Sequence, residues 1–262
     1  MERIFTDQMK RTVRLEGIPR RIVSLVPSQT ELLHDLGLEQ EVVGITKFCV
    51  YPDEWFRSKT RVGGTKQVSI EKVKELQPDL IIGNKEENTK EDIEALEKIA
   101  PVWMSDIYTI EDALDMIRSI GEIVGRKEEA VKLSFDIETK FELLVNPVVG
   151  RSVVYLIWKD PYYAVGPHTF IHSVIERIGF RNAIEQKRYP EWDAESSQLP
   201  ELLFLSTEPF PFKEEDVEAL KVRFPGIKVM LVDGEMFSWY GSRMRLAPDY
   251  FRELFNAITL TE

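Results

Sequence analysis

The residues able to do chemistry here are few: three histidines, one cysteine, and aromatic side chains gathered beside glycine and proline. His168 and His172 stand four apart, which puts both rings on one face if a helix begins at His168, and such a pair can chelate a metal ion. Spacing nominates no third ligand. The plainer reading is one surface or cleft histidine and one packed histidine. His34, between Leu33 and Leu36, reads as a packing residue. Cys49 has no surrounding motif of a nucleophile, and a lone cysteine reads as a small buried apolar group. One cysteine also excludes an internal disulfide and a cysteine-rich metal cluster.

Other chemistry is missing from the string. No G-x-G-x-x-G follows the first apolar run, so no dinucleotide site is expected. No P-loop and no G-x-S-x-G elbow occur. Carboxylates are plentiful, but no pair is singled out by spacing. These absences argue against dinucleotide, P-loop nucleotidase and α/β-hydrolase chemistry.

What remains suits recognition. Phe48 and Tyr51 follow one expected strand, and Trp158, Tyr162 and Tyr163 follow another. Tyr189 and Trp192 share a proline-containing loop, and Phe237, Trp239 and Tyr240 adjoin Gly241. Ligands of open α/β sheets bind beyond the carboxyl ends of strands, and wet aromatics there favour a large apolar or planar ligand. Arg243 offers a planar fork for an anionic group. Lys85, opening a Lys-Glu-Glu-Asn stretch, could line the same rim.

The elements that must carry these residues alternate. Apolar runs at residues 21–26, 42–45, 80–82 and 101–104 read as strands, with helices between them. Ser28 and Glu31 form a capping-box pattern, as do Asn88 and Glu91. Residues 110–145 break the rhythm with two helical stripes, interrupted near Gly121 and Gly125. Further strands are expected at 152–157, 162–165, 202–205 and 229–232, and a last helix from Pro248. The expected class is α/β: two lobes with mainly parallel sheets, divided as 1–109, 110–147 (a helical connector) and 148–262.

Composition agrees with that class. The chain has 262 residues, 34 Lys plus Arg against 45 Asp plus Glu, and net charge −11, which offers no cationic footprint for nucleic acid. No run approaches 18 apolar residues, so no membrane insertion is expected. Eight charges fall within residues 1–20, leaving no room for a secretory signal there.

The order Arg21-Ile-Val-Ser-Leu-Val-Pro-Ser-Gln-Thr-Glu-Leu32, then Val42-Val-Gly-Ile45 and Tyr51-Pro52, then Arg61-Val-Gly-Gly64, Ser69-Ile-Glu-Lys-Val73, Gln77-Pro-Asp-Leu-Ile81 and Gly121-x-x-x-Gly125-Arg126 resembles the cobalamin and iron-siderophore binding proteins of ABC importers. The resemblance covers about residues 5–260. It implies two Rossmann-like lobes joined by a long rigid backbone helix, with a ligand cleft between them. It implies a binding protein, not an enzyme and with no covalent cofactor, for a bulky organic or metal-chelate ligand of corrinoid, haem or ferric-siderophore class, delivered to an ABC permease. Tyr51 matches a cleft-lining aromatic of the vitamin-B12 binding proteins, and Trp192 lies near another. Thr65 and Lys66 stand where that family has a tryptophan, and Asn84 stands at a second such position. Glu235 and Trp239 occupy positions of an acidic and a basic contact. Glu71 and Glu195 fall near the glutamates that meet permease arginines. The ligand contacts expected are Tyr51, Thr65, Lys66, Lys85, Trp158, Tyr163, His168, Trp192, Trp239, Tyr240 and Arg243. The resemblance implies a periplasmic or cell-surface protein, whereas the charged N-terminus suits the cytoplasm. A corrinoid or metal-chelate binder without an importer, and an α/β enzyme using His168, stay open as alternatives.

Overall fold

β-Branched runs bounded by proline and glycine become short, fully buried strands. The computed structural model describes residues 2–195 and 199–260. Packing divides the chain into two units. The first holds Met1–Ile107, Glu111–Asp136 and Tyr240–Arg243; the second holds Tyr108–Ile110, Ile137–Trp239 and Met244–Glu262.

In the first unit a five-stranded parallel sheet runs in the order Thr60–Arg61, Val42–Ile45, Ile22–Ser24, Leu80–Asn84, Val102–Ser105. Ile22, Val23, Leu80, Ile81, Ile82 and Trp103 are all buried, as a sheet covered on both faces requires. A hairpin of Arg3–Thr6 with Thr12–Leu15 precedes the sheet.

At two helix starts the cap moves from its expected place, by two residues before Pro27–Asp35 and by one before Lys90–Leu96. The helix Pro27–Asp35 opens on its proline, with Val26 as the extended N-cap and no side-chain cap. Proline has no N–H to satisfy and a φ already suited to the first turn, so Ser28 moves inside the helix and the Ser28–Glu31 box does not form. Glu31 is used elsewhere. At Lys90–Leu96 the cap is Thr89, which accepts from the Asp92 amide. Asn88 instead accepts from the Asn84 amide at 2.9 Å and donates to the Thr65 carbonyl at 3.0 Å. Gly37, at φ 75°, closes the first helix as its position suggested.

The expected interruption of the connector separates Ile110–Ile123 from Lys127–Glu142. Gly125, at φ 73°, makes the turn. The division between the units falls inside the second helix, after Asp136.

In the second unit Ser152–Trp158, Leu202–Ser206 and Lys228–Val232 pair in parallel, and Tyr163–Ala164 adds an antiparallel edge. Val154, Leu156, Leu203 and Leu205 form its core with Val217 and Leu220 of the helix Glu214–Arg223. The last helix, Ala247–Leu260, buries Phe251, Leu254, Phe255 and Ile258, a 3.6-residue stripe. Among the described residues, no helix is long and apolar enough to cross a membrane.

Close helix contact gives a test. A Cβ on Gly121 would lie 2.1 Å from Ala130 Cβ and 2.9 Å from the Arg126 carbonyl oxygen. Gly→Ala inside an exposed helix ordinarily gains about 1 kcal/mol. Gly121→Ala should instead lose about 1–3 kcal/mol by overpacking, measured by denaturant unfolding.

Candidate functional site

The loop after Val42–Ile45 is organised by what it buries. Cys49 Sγ lies 3.1 Å from both Thr30 Oγ1 and Thr46 Oγ1, and the residue is fully buried. Burial pushes the thiol pKa up, against the hydrogen bonds from the two threonines. With Cys49 turned inward, its neighbours Phe48, Val50 and Tyr51 are exposed at 51%, 42% and 41%. The Lys47 amide ties the loop to the Gly63 carbonyl at 2.7 Å.

Tyr51 does not stand alone. The Arg243 guanidinium carbon lies 4.3 Å from its ring centroid. Arg243 Nε and Nη2 donate to the two Glu31 carboxylate oxygens, each at 2.8 Å. The bidentate contact that Arg243's chemistry suggested is therefore made inside the first unit. Segment Tyr240–Arg243 reaches this place through Gly241, at φ 118°, where a Cβ would stand 3.0 Å from the Ser28 carbonyl. Tyr240 itself is buried.

The neighbouring strand ends are tied by side chains. Asn84 Nδ2 donates to Ser105 Oγ at 2.9 Å, and its Oδ1 accepts from the Glu86 and Glu87 amides. Lys85 pairs with Asp106 at 2.6 Å. Thr65 is buried, while exposed Lys66 donates to the Glu86 carbonyl. Glu71 is exposed in the first turn of Ile70–Glu75.

In the second unit, Trp158 is 44% exposed and meets Phe210 edge-on at 5.7 Å. The following Lys159 pairs with Asp216 at 2.6 Å. Burial raises the Asp216 pKa, but its hydrogen bonds with Lys159 and the Lys213 amide outweigh this and leave it below the usual range. Trp239 Nε1 donates to Glu208 Oε1 at 3.1 Å, and Ser238 Oγ donates to the same oxygen. Gly234 allows the tight approach, since a Cβ there would meet Glu208 Cγ and Ser206 Oγ at 2.5 Å. Tyr250 accepts from the Asp233 amide at 2.8 Å, and burial pushes its phenol pKa up to about 12.

Three second-unit expectations meet a different environment. Trp192 is only 5% exposed, packed against Tyr162 and Phe224 in the core. The Ala164 amide donates to the Pro190 carbonyl and the Trp192 amide to the Tyr162 carbonyl, so the loop runs as extra sheet edge and turns the indole inward. Tyr163 is half-buried, opposite Trp158. His168, at φ 63°, lies outside its helix, because Thr169 is the N-cap. The two histidines thus do not share a helical face. His172 Nδ1 accepts from Asn182 Nδ2 at 3.1 Å, and burial holds the imidazole pKa down. Among the described residues, no three His, Cys, Asp or Glu side chains converge on a point suited to a metal. Glu195 is exposed, 3.7 Å from Arg223 Nη2. Sequence reasoning missed the partners Glu31 and Glu208. Neither has a local pattern that announces its role.

The model of the family described as periplasmic binding protein matches residues 22–217. The chain belongs to the periplasmic binding protein family. This is a family of binding proteins. An ABC transporter substrate-binding lipoprotein of Bacillus subtilis strain 168, YvrC, is 30% identical over 190 residues, covering 68% of this chain and 59% of that protein. The vitamin B12-binding protein of Pectobacterium carotovorum is 21% identical over 88% of this chain and 86% of its own length. The siderophore-binding protein BauB, solved with ferric iron and two acinetobactin molecules, shares the fold with a TM-score of 0.82 at 15% identity. That likeness covers 97% of this periplasmic binding protein and 99% of BauB.

The buried thiol sets an expectation. Native protein should leave Cys49 unmodified by a thiol reagent, and one thiol should titrate once denaturant is added. Rapid native labelling would show that the Tyr51 loop opens readily.

Proposed function

We propose that this periplasmic binding protein captures a bulky organic or metal-chelate ligand of corrinoid, haem or ferric-siderophore class and delivers it to an ABC importer. The reading rests first on the exposed Tyr51 ring at the carboxyl end of a parallel strand, backed by Arg243. The names of the relatives, a substrate-binding lipoprotein and a vitamin B12-binding protein, support the same class. In the first unit the proposed contacts are Tyr51, Lys66 and Lys85; in the second they are Trp158, Trp239 and His168. Trp192, Tyr240 and Thr65 are buried and are left out of the contact set. Binding needs no bond-making step, and no turnover is assigned. Aromatic faces remove apolar ligand surface from water, and side chains already held in place lose little entropy on binding.

A screen of cyanocobalamin, hemin and ferric siderophores by thermal shift and tryptophan fluorescence tests the capture. A ligand present at 100 times its Kd should stabilise the protein by about 2.7 kcal/mol. No response to any of them would sink the proposal.

Delivery is assigned to the exposed carboxylates Glu71 and Glu195. Glu71→Lys and Glu195→Lys should leave ligand affinity unchanged while lowering uptake by the reconstituted importer. Unchanged uptake in the double variant would remove their docking role.

A further inference from the structure

The anion that fills the Arg243 fork is a side chain of its own unit. Nε and Nη2 meet Glu31 Oε2 and Oε1 at 2.8 Å each, with side chains 9% and 17% exposed. Such a pair is neutral as a whole and uses the guanidinium edge, leaving the planar faces for stacking. One face is used: the guanidinium carbon is 4.3 Å from the Tyr51 ring centroid. Arg243 has little freedom to leave. Its segment packs on the helix Pro27–Asp35 at Gly241, where the backbone sits at φ 118° and a Cβ would stand 3.0 Å from the Ser28 carbonyl oxygen. A ligand carboxylate or phosphate competing for Arg243 would strand Glu31 as a poorly solvated charge without its partner.

We propose that Glu31 and Arg243 are positioning residues that hold the Tyr51 ring as a preset stacking platform. The platform takes the flat, uncharged face of a planar macrocycle, and Arg243 is not a receptor for an anionic group. The ligand class rests on the binding function proposed above; the holding of the ring does not.

The ring can be read without ligand. In protein carrying ring-labelled tyrosine, with Tyr51→Phe assigning the signal, Glu31→Gln should shift and broaden the Tyr51 resonance. Arg243→Lys, which keeps the charge but loses the fork and the planar face, should move it toward the free-tyrosine position. If Arg243→Lys fails to fold, the nearly isosteric Glu31→Gln carries the test alone. An unmoved Tyr51 signal in Glu31→Gln overturns the positioning role.

Hemin, cyanocobalamin and a ferric tris-catecholate then probe the ligand class. Glu31→Gln and Tyr51→Leu should each weaken macrocycle binding about tenfold, the double variant no further, with little salt dependence. Tighter catecholate binding by Glu31→Gln, or a steep fall with salt, would make Arg243 an anion receptor and overturn the proposal. Binding of the catecholate alone overturns the macrocycle class but leaves the capture function standing. Binding of none of the three overturns both, while the tyrosine resonance still decides the positioning role.

Discussion

A parallel sheet ends all its strands at one edge, and the loops leaving that edge carry backbone groups that the ladder no longer satisfies. Each unit meets this constraint with short polar side chains at or near the last strand positions. In the first, Asn84 Oδ1 accepts from the Glu86 and Glu87 amides at 2.8 and 3.1 Å, and Ser105 Oγ donates to the Gly83 carbonyl at 3.3 Å. In the second, Tyr155 donates to Ser206 at 3.0 Å, and Ser206 Oγ donates to the Glu208 carbonyl at 2.6 Å. These groups are buried, so each contact counts for more than its exposed equivalent. Lys85 directly follows the Asn84 end, while the loops that bear Tyr51 and Trp239 leave the adjacent strand ends at Ile45 and Val232.

The aromatics that reach the surface wholly or in part follow from that anchoring. A ring on an unsupported loop would lose much of its binding energy in being ordered. Here Tyr51 has a guanidinium beneath it, Trp239 has its N–H held by Glu208, and Trp158 leans on Phe210. Each ring is presented by a polar or aromatic partner that is itself fixed.

The strands were legible because their signal is local. The runs at 42–45, 80–84 and 202–206 are continuous and apolar, as buried parallel strands must be. Glycine marked the break at Gly125 for the same reason: a positive φ is a property of one residue. Less was legible where two local rules competed. Pro27 displaced the cap expected at Ser28, and a demand from Asn84 and Thr65 drew Asn88 out of its box. The helix Glu214–Arg223 carries a weak sequence signal because Val217 and Leu220 are the only apolar side chains it buries. Trp192 was misplaced because a loop sequence gives no hint that its backbone will pair as a sheet edge. Arg243 was recognisable as a fork, but its partner lies 212 residues away, beyond any periodicity.

That separation bears on how the protein is made. The sheet of the first unit is complete by Ser105, and Glu31 has left the ribosome long before Arg243 is synthesised. Until residues 240–243 emerge, the nascent unit holds a carboxylate without its cation and a helix face without its cover. Contacts of such long range close last and set the pace of folding. Translation therefore passes residue 243 before the Tyr51 platform exists, and a product cut short of that residue lacks it.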